Sequence, residues 1–102
     1  MFVADLHNDV LQRAMIGENI AIKTKQGHSD LIRLKESCID LEVFIIWITG
    51  NNFKNKAFSR ANEFYDKLEN LEKENDYFKI TKNLHDIINA KKNNILATPI
   101  SM

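Results

Sequence analysis

The chain has 102 residues, 44% of them hydrophobic and 27% charged, which allows one small domain with a modest core. Fourteen Lys and Arg balance fourteen Asp and Glu, so charge gives no case for nucleic acid or an anionic membrane surface as a partner. The apolar run Leu41 to Ile48 is far too short for a membrane span, and no secretory signal is expected where Asp5, His7 and Asp9 would break its apolar region.

The first expected element is a strand, Phe2 to Leu6, running into His7-Asn8-Asp9. Side chains two apart in an extended strand point to the same face, so His7 and Asp9 project together. An imidazole nitrogen beside a carboxylate oxygen suits a zinc-type cation. His-x-Asp is also a common tripeptide, and a strand end that happens to carry two polar residues is the other reading.

A short helix is expected from Asp9 to about Met15, stopping near Gly17, followed by a connecting loop from Ile20 to Gly27. Asp30 can then cap a second short helix through Leu31, Leu34 and Lys35. The single cysteine, Cys38, lies in the passage to the next strand. It can form no internal disulfide, it fits a reducing cytoplasm, and no nearby His activates it as a nucleophile.

Leu41 to Ile48 reads as a second strand, interrupted by Glu42, whose continuous apolar run Val43 to Ile48 predicts a parallel sheet covered on both faces. Gly50-Asn51-Asn52 marks a turn. A long amphipathic helix follows, with Phe58, Ala61, Phe64, Tyr65, Leu68 and Leu71 on its packed face. Phe78-Lys79-Ile80 is a brief extended piece. Thr81 or Asn83 can cap a further helix with Leu84, Ile87 and Ile88 inward and Lys91-Lys92 in its last turn. Asn93-Asn94 turns the chain into a third strand, Ile95 to Ile100.

The order β-α-α-β-α-α-β predicts a parallel α/β sheet, three strands in chain order with helices on its outer face. A small open α/β sheet and the first part of a (β/α)8 barrel both fit. Length favours the open sheet, because a whole barrel needs about 250 residues.

Asp5-Leu6-His7-Asn8-Asp9, Gly27-His28-Ser29-Asp30-Leu31 and Arg33-Leu34-Lys35-Glu36 running into the second strand together resemble the renal (membrane) dipeptidase family of zinc metallopeptidases. Ile80-Thr81-Lys82-Asn83 to Asn94-Ile95-Leu96-Ala97 extends the likeness, which is collinear over essentially the whole chain. The resemblance implies the N-terminal β-α-β-α-β portion of a (β/α)8 TIM-type barrel, with residues 1–102 as a single partial domain. It implies two zinc ions at the C-terminal ends of the strands, His7 and Asp9 matching the first-strand ligands of one of them. The Glu shared by both ions would fall just after Met102 and the remaining His ligands on later strands. On this reading the chain holds metal residues but no catalytic residue, and its substrate-binding residues are unassigned.

The implied activity is hydrolysis of dipeptides by a water activated between two metals. With only His7 and Asp9, this piece is expected to bind zinc weakly, to be inactive alone, and to self-associate or pair with the missing barrel portion. Leu6 stands where the family has Gly, Ile32 where it has Pro, and Glu42 where it has Gln. Ser37, Cys38, Asp40 and Leu41 replace a Gly-rich turn. His28 and His85 read as a loop and a solvent-facing histidine without a metal role. The alternative from another class is a degenerate, non-catalytic α/β module acting through self-association or partner contacts. Another barrel metal hydrolase would open with His-x-His, against which Asp9 argues.

Overall fold

The computed structural model describes residues 1–48 and 56–101, so the Gly50-Asn51-Asn52 turn lies outside the described residues. Strand β1 (Ala4–Asn8) leads through helices α1 (Leu11–Met15) and α2 (Leu31–Glu36) to β2 (Leu41–Ile45). Helix α3 (Ala57–Glu74) then precedes β3 (Phe78–Ile80), α4 (Leu84–Lys92), β4 (Leu96–Thr98) and β5 (Ile100–Ser101). Every pairing is parallel, in the order β1-β2-β4-β3, with β5 pairing β2 beyond β4.

The three expected strands are therefore parallel neighbours in chain order, with differences in detail. His7 lies within β1 rather than beyond it, and the brief extended piece at Phe78 is a fourth strand paired to β4. The third strand divides at Pro99. Ala97 N donates to Asp40 O at 2.9 Å, and the ladder resumes with Phe44 N to Pro99 O at 3.0 Å and Ile46 N to Ser101 O at 2.8 Å. Pro99 has no N–H to contribute between those bonds, which interrupts the pairing there.

Helices cover both faces of the sheet, not one outer face. Phe44, Ile46, Leu96, Phe78 and Ile80 form one core with Leu11, Leu31, Phe64 and Leu68. Strand alternation turns Leu41 and Val43 the other way, where they meet Ala97 and the Ala90 and Ile87 side chains of α4. The cause is β3. The chain runs outward from β2 to β3 and back from β3 to β4, and right-handed crossovers in opposite directions place their helices on opposite faces. Leu41 and Ala97 are consequently buried on the face opposite α1, α2 and α3. Among the described strands β1 is the one left largely bare, with Leu6 71% exposed and Phe2 and Val3 exposed beside it.

Two helix faces also differ from expectation. Phe58 is exposed, and the packed stripe of α3 runs through Ala61, Phe64, Leu68 and Leu71. On α4, Leu84 and Ile88 are exposed while Ala90 is buried and Ile87 half-buried. At about 100° per residue, Leu84 and Ile88 stand roughly 90° and 130° from the midpoint of Ile87 and Ala90, so a helix seated through those two turns them outward.

Caps follow the sequence closely. Asp30 accepts from Arg33 N at 2.8 Å, and Asn83, not Thr81, caps α4 by accepting from Asp86 N at 2.9 Å. Among the described residues no helix is long and apolar enough to cross a membrane.

Candidate metal centre

The C-terminal end of β1 is shaped by an irregularity. Asp5 pairs with Glu42 and Asn8 with Phe44, so β1 takes three steps where β2 takes two. Such a bulge bends a strand and re-aims its side chains. Asp5 Oδ1 accepts the His7 N–H at 3.2 Å across it. Asn8 then clamps the strand end, its Oδ1 accepting from Val10 N at 2.9 Å and its Nδ2 donating to Ser29 Oγ at 3.1 Å. Asp9 O accepts from Gln12 N at 3.1 Å, which starts the first turn towards α1.

This scaffold brings the two predicted residues together. His7 Nε2 and Asp9 Oδ2 lie 3.3 Å apart, with their side chains 67% and 55% exposed. A polar contact this open contributes little to stability, so packing does not account for it. Asn8, Phe44 and Ile100 share one level across β1, β2 and β5, so the pair sits where the carboxyl ends of three parallel strands gather. Open α/β sheets bind their ligands at such ends.

A nitrogen and an oxygen converging on open space fit part of a zinc coordination set. Among the described residues no third His, Cys, Asp or Glu joins them. An open catalytic zinc site uses three protein ligands, so this pair by itself falls one short of such a set. His28 and His85 are exposed and apart from it, His85 Nε2 lying 3.2 Å from Asn89 Nδ2. Cys38 is exposed at the end of α2.

The residue that sequence reasoning underestimated is Glu42. Read only as a polar interruption and a departure from Gln, it is fully buried, and neither carboxylate oxygen has a hydrogen-bond partner among the described residues. Burial, then the negative charge of Asp5, pushes its pKa up to about 7, and the nearby Asn8 amide draws it back only in part. The available signal was alternation, since Glu42 shares a face with Phe44 and Ile46.

Comparison with known proteins bears on the family and the fold. The family model described as membrane dipeptidase (peptidase family M19) matches residues 1–102. A solved structure described as the dipeptidase AC, a metallopeptidase of family M19, matches at a TM-score of 0.81 and 23% identity. The match covers 98% of this chain and 34% of that one, so the chain spans about a third of that structure, and at this identity the likeness speaks to the fold. A search of curated proteins finds no match. With its whole length matched by the family model, the chain belongs to the membrane dipeptidase family, peptidase family M19.

Proposed function

We propose that the chain forms the first-strand corner of a zinc-dependent dipeptidase built on a (β/α)8 barrel, with His7 and Asp9 holding one of two metal ions. The observation that carries this reading is the 3.3 Å convergence of His7 Nε2 and Asp9 Oδ2 at the carboxyl end of β1 in a chain of this family. Zinc, when bound, supplies Lewis acidity towards a peptide carbonyl and acidifies water. The chain's own residues supply orientation. Asp5 holds the His7 backbone, Asn8 anchors the strand end, and the two donor atoms project into open space. Two donors leave metal binding by these residues alone at about micromolar or weaker. Hydrolysis of a dipeptide then needs further donors.

Zinc titration of the chain, followed by NMR, tests the site directly. The expected result is a shift centred on His7 and Asp9 that is lost in His7→Ala and Asp9→Ala. In the whole enzyme either substitution is expected to lower kcat/KM by at least about 100-fold. Zinc binding centred elsewhere would overturn the assignment.

A second reading, a non-catalytic module acting through association, is favoured by one observation. β1 is an edge strand, and Phe2, Val3 and Leu6 along it are exposed. Sedimentation decides it: concentration-dependent association abolished by Leu6→Lys supports this reading, and a monomer that binds zinc at His7 counts against it.

A further inference from the structure

Glu42 is enclosed within the fold, yet its carboxylate oxygens receive no N–H or O–H from any described group. Such a carboxyl, if ionised, is a buried charge without a donor, and its neighbour across the strand pair is Asp5, another acid. Asp5 is the only charged group acting on Glu42 among the described residues, and Asn8 adds a neutral amide already donating to Ser29. One proton on Glu42 resolves the conflict, because a protonated carboxyl gains an O–H donor and the exposed Asp5 is the acceptor beside it. Asp5 in turn accepts the amide of His7 through Oδ1. The path therefore runs from Glu42 on β2, through its ladder partner Asp5, to the backbone of the residue that carries the candidate metal nitrogen.

We propose that Glu42 is a positioning residue for the His7–Asp9 pair. As the un-ionised acid it donates a hydrogen bond to Asp5, and Asp5, holding the His7 amide, fixes the bulged end of β1. The link to metal binding rests on the function proposed above, whereas the link from Glu42 to the His7 backbone rests on the ladder pairing of Glu42 with Asp5 and on the Asp5–His7 hydrogen bond. A carboxyl pushed to a pKa of about 7 keeps its proton through the weakly acidic range and loses it above neutrality, which makes the linkage measurable.

The experiment is a pH titration of the full chain by carbon-detected and amide NMR. It is run in the natural sequence and in His7→Gln, whose amide at position 7 is free of the imidazole's own titration. The Glu42 carboxyl carbon is expected to titrate with a midpoint near neutrality, and the amide of residue 7 to move with the same midpoint. In Glu42→Gln, which carries a permanent donor of the same shape, that amide should hold its low-pH position throughout. A Glu42 midpoint in the ordinary carboxylate range, or a residue 7 amide indifferent to Glu42, overturns the proposal. The Glu42 midpoint is read in the natural chain alone, so a variant that fails to fold still leaves the proposal open to refutation. Zinc alone, added to the same samples, separates the two claims. Unmoved His7 and Asp9 resonances overturn the metal reading, and an ordinary Glu42 midpoint overturns the positioning role.

Discussion

Asp5 stands opposite Glu42 in the parallel β1–β2 ladder, the first side chain exposed and the second completely enclosed. This asymmetry fixes a pH dependence. Glu42 has a folded pKa raised from 4.5 to about 7, so between those values the folded chain binds more protons than the unfolded one. Its contribution is fully present below pH 4.5, declines as pH rises to about 7 and is level beyond. The decline is on the order of 3 kcal/mol. Urea denaturation at about pH 5 and pH 8 should show it in the natural chain and not in Glu42→Gln.

Asp40 works in the opposite sense. Its Oδ1 accepts from Lys91 Nζ at 2.8 Å and its Oδ2 from Val3 N at 2.8 Å, while Lys91 also reaches Met1 O at 3.2 Å. The Lys91 hydrogen bond, followed by that from Val3, holds the Asp40 carboxyl below its ordinary value of 3.8. Its stabilisation is present above that value and is lost as pH falls through the lowered one. Asp40→Ala should destabilise the chain by about 1–2 kcal/mol and release the segment before β1, read by denaturation and by the amide of Val3.

Asp30 is the most committed carboxylate in the chain. Fully buried, it accepts from Arg33 N at 2.8 Å, Thr24 N at 3.1 Å and Arg33 Nε at 3.1 Å. It caps α2 and closes the preceding loop at once. Asp30→Ala is expected to cost about 3 kcal/mol or more, since it removes a cap and strands several buried donors. A thermal melt that moves by only a degree or two would contradict this.

Cys38 follows α2 with φ 61°, a left-handed conformation that a side chain with Cβ adopts at a cost. Glycine meets that requirement freely. Cys38→Gly should therefore stabilise the chain, by about 1 kcal/mol, detected as a raised urea midpoint.

How much was legible beforehand depended on whether the determining force was local. Asp30 and Asn83 as caps, and the parallel setting of Leu41–Ile45, follow from residue type and patterning, and the structure reproduces them. The same holds for the shared direction of His7 and Asp9, which strand alternation predicted and the bulge preserved. Phe78–Ile80 was only half legible, because three residues make too short a period and their pairing with β4 is set by distant chain. Its edge position then sent α4 to the other face, an outcome no local pattern announces. The loop from Ile20 to Gly27 was read as a connection, yet Tyr77 OH donating to Ala21 O at 2.6 Å and Thr24 bonded to Asp30 tie it down. Burial of Glu42 escaped for a similar reason, since carboxylates in strands usually face water.

Because β1 has only β2 as a sheet neighbour among the described residues, and its own side chains are largely uncovered, it is the strand that can detach with least loss. Local opening of this kind is read as hydrogen exchange, and the amides from Ala4 to Asn8 should exchange well before those of β2 and β4. An ion held by His7 and Asp9 would bind only the closed form. Protection along β1 would then rise with metal concentration, and the metal would act as a latch on the strand that presents it.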